Sequence, residues 1–175
     1  LSLIIGPIAY LISLRGVQIS LFNRYESAKL PSLNSKGRTS MTKISMTTDL
    51  DVSADEVWKL IGGFNALPDW HPEVEKSELE EEGQVRKLSL AGGGTIIERL
   101  EKIDDEACTY SYTITDSPLP LANYVATIKV TGEGEGCKVE WSSEFEPVGG
   151  ESEAVDIVQD IYKTGLDNLK KMFGG

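Results

Sequence analysis

A chain of 175 residues, 40 % hydrophobic and 26 % charged, has the length and composition of one globular domain with a sizeable core. Its formal charge of −11 argues against nucleic-acid binding, because holding phosphates requires positive surface. The charge is uneven: residues 1–40 carry five basic residues and one acid, a charge of +4, which leaves −15 for the remainder.

The chain opens with LSLIIGPIAYLISL. These roughly 14 apolar residues fall short of the roughly 20 that cross a bilayer, and Gly6-Pro7 interrupts them. The Arg- and Ser-rich stretch that follows has the bias of an organelle transit segment. Three readings stand: upstream or artificial sequence ahead of a start at Met41, a targeting segment, or a membrane anchor. The first implies a cytoplasmic protein, the second an organellar one, and only the third a membrane contact. All three leave residues 1–40 outside the fold and put one domain over residues 41–175.

Residues 43–50 alternate as a strand. Ser53-Ala54-Asp55-Glu56 is a capping box that starts a short helix through Val57, Trp58, Leu60 and Ile61, and Gly62-Gly63 ends it. Pro68 and Pro72 make the next stretch a short helix or turn. Residues 74–82 read as a strand with a solvated acidic end. Residues 84–146 read as consecutive antiparallel strands joined by turns. Residues 151–173 have helical apolar spacing at Ala154, Val155, Val158, Ile161, Tyr162, Leu166 and Leu169. At 1.5 Å per residue such a helix is roughly 33 Å long, enough to cross a sheet. Gly165 inside it reads either as close packing against the sheet or as room for a ligand.

The meander can be registered from its turns. A turn centred near Gly92 sets Leu88 opposite Ile96 and Arg86 opposite Glu98. Folding at Asp104-Asp105-Glu106 sets Glu98 opposite Tyr112, and folding at Ser117-Pro118 sets Tyr112 opposite Tyr124. The acidic loop at 132–136 brings Tyr124 near Phe145 and Ala126 near Ser143. Opposed residues share a face, so Arg86, Glu98, Tyr112 and Tyr124 form a row on the mainly apolar face. A charged pair and two phenols on that side imply that it lines a cavity. Cys108 and Cys137 fall on strands separated by a third, about 10 Å apart, too far for a disulfide. They read as free thiols in a reducing compartment.

Each candidate has a functional and a structural reading. Glu98 facing Arg86 stays ionised and moves a proton when substrate displaces one partner, or the two are an ion pair tying strands together. Tyr112 and Tyr124 donate to a carbonyl or enolate oxygen, or are strand aromatics whose hydroxyls reach Glu98 or water. His71, the one histidine, is a general base or a capping residue, and it has no second metal ligand beside it. The candidate lining is Phe64, Trp70, His71, Leu88, Ile96, Ile114, Ala126, Trp141, Ser143 and Tyr162, with Phe64 and Trp70 either at the cavity mouth or in the core. Gly92-Gly93-Gly94 lacks the Lys-Ser/Thr of a phosphate loop. No GxSxG, HExxH or paired-cysteine zinc motif occurs. No cofactor and no metal are expected.

The order of strand, two short helices, six strands and a long helix resembles the helix-grip fold of the START/Bet v 1-like (SRPBCC) superfamily, in particular its polyketide cyclase/dehydrase and lipid-transport branch. The resemblance spans roughly residues 42–173. Its residues are the run from Val57 to Asn65 into Leu67-Pro68-Asp69-Trp70-His71-Pro72, then Glu98-Arg99-Leu100, and Ser117-Pro118-Leu119-Pro120 before Tyr124. It implies an α+β fold in which a curved seven-stranded antiparallel sheet wraps a long C-terminal helix. Arg86, Glu98, Tyr112 and Tyr124 are also similar, in type and order, to the cavity of lachrymatory-factor synthases. There the Arg and Glu are implicated in proton transfer, with Glu98 here as proton donor and acceptor and Arg86 as anion holder. The Arg-to-Glu hairpin is shorter here, so the substrate is not carried over. Three functions follow: a binder of a small hydrophobic ligand such as a lipid, polyketide or isoprenoid; a cyclase, dehydratase or isomerase using Glu98 and Arg86; or an accessory protein that takes a basic partner at mouth loops bearing Trp70.

Overall fold

The computed structural model describes residues 41–174 and, ahead of them, only the backbone of 13–14 and 17–18, where β1 (Ser13–Leu14) pairs with β2 (Val17–Gln18). The targeting, anchor and upstream-sequence readings of residues 1–40 otherwise lie outside the described residues.

The domain starts with β3 (Thr42–Leu50). The Ser53 hydroxyl then accepts the Glu56 backbone N–H at 3.3 Å, which satisfies one of the orphan donors at a helix start, and α1 (Ala54–Ile61) follows. Gly62 is its C-cap, and the position takes only glycine, since a Cβ there would sit 2.5 Å from the Trp58 ring. Pro68 fits the first turn of α2 (Leu67–Trp70). Six strands come next: β4 (Val74–Glu80), β5 (Val85–Leu90), β6 (Thr95–Asp104), β7 (Thr109–Asp116), β8 (Leu121–Glu133) and β9 (Gly136–Pro147). The helix α3 (Glu151–Met172) closes the chain. The strand expected over 74–82 stops at Glu80, because Glu81 and Glu82 take left-handed conformations (φ 48° and 57°) that reverse the chain into β5.

The sheet order is β3-β9-β8-β7-β6-β5-β4, antiparallel throughout. Every strand from β4 to β9 pairs with its sequence neighbour, and β3 joins the meander beside β9. Along β9, Cys137, Val139, Trp141, Ser143 and Phe145 are buried and alternate with more exposed residues, the pattern of a sheet with one face on the core. Against that face α3 buries Ala154, Ile157, Val158, Tyr162, Gly165, Leu166 and Leu169. Each large apolar side chain among these contributes about 1.5–3 kcal/mol on burial. A Cβ on Gly165 would lie 2.7 Å from His71 Cδ2, 2.9 Å from Trp70 Cζ3 and 3.1 Å from Trp141 Cζ3. Gly165 is therefore a close-packing residue and leaves no room for a ligand.

The β5–β6 register is as expected: Arg86 faces Glu98 and Leu88 faces Ile96. The next two registers differ by two residues. The β6–β7 turn spans 105–108 with Cys108 at φ 47°, and bulges interrupt the ladder between Ile97 and Glu98 and between Leu100 and Lys102. Glu98 therefore faces Ile114, and Tyr112 faces Leu100. Tyr112 then faces Ala126 rather than Tyr124. A shift of two keeps every side chain on its face, so the four polar residues form a staggered group on the inner side. Ala126 faces Ser143 as expected. Tyr124 has no ladder partner on β9, but its ring stacks on Phe145 at 6.1 Å. Cys108 lies in the turn before β7, with β8 between that strand and Cys137 on β9, and both thiols are free. Among the described residues no helix is long and apolar enough to cross a membrane.

Candidate functional site

A cavity of about 80 Å³ lies between the inner face of the sheet and α3. At the roughly 30 Å³ that one liquid water takes up, it has room for about two or three waters. The sheet lines it with Leu88, Leu90, Ile96, Glu98, Tyr112, Ile114, Leu121, Tyr124 and Trp141. The α2 end adds Leu67 and His71, and α3 adds Ile157, Val158, Ile161 and Tyr162.

Of the candidate residues, Glu98, Tyr112, Tyr124, His71, Leu88, Ile96, Ile114, Trp141 and Tyr162 stand on this lining. Arg86, Phe64, Trp70, Ala126 and Ser143 do not. Arg86 is fully buried behind Glu98, with its guanidinium carbon 4.4 Å from the Phe64 ring centre and 4.9 Å from that of Tyr112. Phe64 is the floor beneath Arg86, and its carbonyl accepts from Nη1. Trp70 is 1 % exposed and packs on Trp141 and His71, so it is core and not part of a mouth. Ala126 and Ser143 are buried but are not among the lining residues. Sequence reasoning missed the contributions of Leu67, Glu73, Val74, Leu90, Ala91, Leu119, Leu121, Ile157, Val158 and Ile161. The signal for the helical ones was present: Val158, Ile161 and Tyr162 sit at the three- and four-residue spacings that share a helix face.

The polar groups have unlike environments. Arg86 Nε donates to Glu98 Oε2 at 2.6 Å, with both side chains buried. Burial pushes the Glu98 carboxyl above its usual range, while the Arg86 charge and hydrogen bond hold it back. Burial works against the Arg86 charge, but the Glu98 carboxylate and its hydrogen bond outweigh it, so the guanidinium holds its proton. Burial outweighs pairing in the direction of the Glu98 shift, the reverse of the balance expected from sequence. Arg86 Nη2 and the Tyr110 hydroxyl are buried outside hydrogen-bond geometry, although the guanidinium is near enough to offset part of the upward push of burial on that phenol.

The phenols are neutral donors. Burial raises Tyr112 and Tyr124 well above ordinary phenols, and it raises Tyr162 as well. Trp141 Nε1–H donates to the Tyr112 hydroxyl at 3.1 Å, which leaves the Tyr112 hydrogen free to donate. The Tyr124 and Tyr162 hydroxyls share one hydrogen bond of 2.5 Å, which leaves one hydrogen between them. The lining thus offers two phenolic hydrogens and a carboxylate on otherwise apolar walls.

His71 is a capping residue. Its Nδ1 accepts the Glu73 N–H at 3.3 Å, so Nε2 carries the hydrogen and donates to the Ile161 carbonyl at 2.9 Å. Both nitrogens are occupied, and burial lowers its pKa. It ties α2 to α3 and is not arranged as a general base. Among the described residues no three His, Cys, Asp or Glu side chains gather as a metal site.

The pattern describing polyketide cyclases/dehydrases and lipid-transport proteins matches residues 41–174. The chain belongs to this family. No curated protein matches. Among solved structures, XoxI from Bacillus cereus is 42 % identical, with a TM-score of 0.73 over 75 % of this chain and 94 % of that one. Two more distant structures share the fold. The Zhui aromatase/cyclase from a Streptomyces species is 17 % identical (TM-score 0.66; 76 % and 93 % covered). Ara h 8.0201 is 19 % identical (TM-score 0.63; 77 % and 98 % covered). The family match and these neighbours place the domain in the START/Bet v 1-like superfamily with a helix-grip fold.

Proposed function

We propose that the protein binds a small, neutral, largely apolar molecule bearing a hydroxyl or carbonyl group in the cavity between the sheet and α3. The observation that carries this reading is an apolar lining that holds only a few polar groups, Glu98 and the three phenols among them, the usual form of a ligand pocket. The family's description, which includes lipid transport, supports the same class. The volume of about 80 Å³ is about half that of an engineered cavity that holds a single benzene ring, so a ringed ligand such as 2-naphthol, and still more a lipid, enters only as the walls move apart. Calorimetric titration of the full chain with 2-naphthol tests this. Binding with a negative heat-capacity change is expected, and Val158→Phe, which fills the cavity from α3, should abolish it. Equal binding by both proteins would refute the site.

A second reading is supported by Glu98 itself: a carboxyl raised by burial, on the cavity wall, near donors able to hold an oxyanion. In that reading Glu98 takes a proton from a ligand carbon beside a carbonyl and returns it to another position. Tyr112 and Tyr124 stabilise the oxygen that gains charge. Glu98→Gln separates the two readings. A carrier still binds 2-naphthol, whereas an isomerase loses turnover of its substrate while keeping affinity. The accessory-protein reading has lost its anchor, since Trp70 is buried.

A further inference from the structure

The sheet is split between β7 and β8. These strands pair from Thr109↔Lys129 to Thr113↔Val125 and no further, although β7 continues to Asp116 and β8 begins at Leu121. Past that point each strand stays with its outer neighbour. Ile114 and Asp116 pair with β6, and Leu121 and Ala122 pair with β9. Each has an irregularity there. Thr115 is the extra residue between the pairs Ile97↔Asp116 and Glu98↔Ile114. On β8 the register shifts between Ala122 and Val125, with Asn123 left-handed at φ 52°. An extra residue bends its strand and sharpens the twist. Two such bends on facing strands draw the strands apart.

The resulting slit is a depression of about 560 Å³. Its rim includes Thr113, Thr115, Asp116 and Asn123, and three residues of its lining, Ile114, Leu121 and Tyr124, also line the inner cavity. One layer of side chains therefore separates the slit from the cavity. Forgoing the ladder here costs about 0.5–1.5 kcal/mol per lost hydrogen bond and leaves strand edges open.

We propose that ligands reach and leave the cavity through this slit, with Ile114, Leu121 and Tyr124 as its gate. The proposal builds on the reading that the cavity binds a small apolar molecule, and it adds the route and a filter. Hydroxyl and amide groups on the rim suit a neutral solute. Asp116, on a domain of charge −15, repels anions.

Stopped-flow mixing of the full chain with 2-naphthol tests the route. Thr115→Trp and Ala122→Trp plug the slit from opposite strands, and neither position lines the inner cavity. Each is expected to slow association and dissociation together by about tenfold, leaving Kd unchanged. Lys87→Trp, exposed on β5 and outside both linings, should leave the association rate within about twofold of the wild type. Wild-type rates in both plugged variants would overturn the slit and leave the binding reading intact. No binding of 2-naphthol by the wild type would overturn both.

Discussion

Gly165→Ala tests how α3 is seated. In an isolated helix this change stabilises by about 1 kcal/mol, because Ala loses less backbone entropy than Gly. Here the new methyl would meet three ring atoms at 2.7, 2.9 and 3.1 Å, against about 3.5–4.0 Å for an unstrained carbon contact. None of the rings yields easily. His71 is held at both nitrogens, and Trp70 and Trp141 are 1 % and 2 % exposed and in edge contact with each other. Overpacking costs about 1–3 kcal/mol, and three simultaneous contacts put this site near the upper end. Net destabilisation of about 2 kcal/mol should follow. Urea unfolding followed by circular dichroism should show a lower midpoint with an unchanged slope. A midpoint equal to or above that of the wild type would refute the packing argument. It would reopen the reading of Gly165 as space for a ligand.

His71 sets an acid limb to stability. Its folded pKa lies below the ordinary value of 6.5, so its contribution is complete above that pH and is lost as pH falls toward the folded value. Protonation also turns Nδ1 into a donor facing the Glu73 N–H. Thermal melts from pH 8 to pH 5 should show His71→Gln less stable than the wild type at pH 8, with the gap closing on acidification; a constant gap would contradict this. Glu98→Gln should cost about 3–5 kcal/mol at pH 7, since it leaves a buried guanidinium without a counter-charge. Adding Arg86→Met to it should recover most of that loss, whereas strictly additive losses in urea would show that the pair is not coupled. Tyr162→Phe removes the bond to Tyr124 and should cost about 1 kcal/mol, read as a lower melting temperature; an unchanged melt would show that this bond adds nothing.

The β5–β6 pairing was legible because three consecutive glycines, Gly92, Gly93 and Gly94, all take positive φ, and a glycine run marks its own turn. The β6–β7 register was not legible. It depends on a left-handed Cys108 and two bulges, which carry no glycine or asparagine signal. Because both register errors were by two residues, Glu98, Tyr112 and Tyr124 still came out on the cavity side. Alternation reports the face of a strand residue and not its depth, so Arg86 was placed on the lining when it lies behind it. The Phe64 carbonyl and ring, 22 residues away in sequence, draw the guanidinium under the wall, and no local pattern encodes that contact. The slit was likewise hidden: Ser117-Pro118-Leu119-Pro120 announces a turn, but not that the strands leading out of it stay apart.

The most direct test of the central claim is native mass spectrometry of the full chain purified from its own host, beside an Ile114→Trp variant that fills the cavity from β7. A neutral small-molecule adduct on the wild type that is absent from the variant is the expected result. An adduct retained by the variant would place binding outside the cavity. A bare wild type that also takes up no added 2-naphthol would contradict the assignment of this protein as a ligand binder.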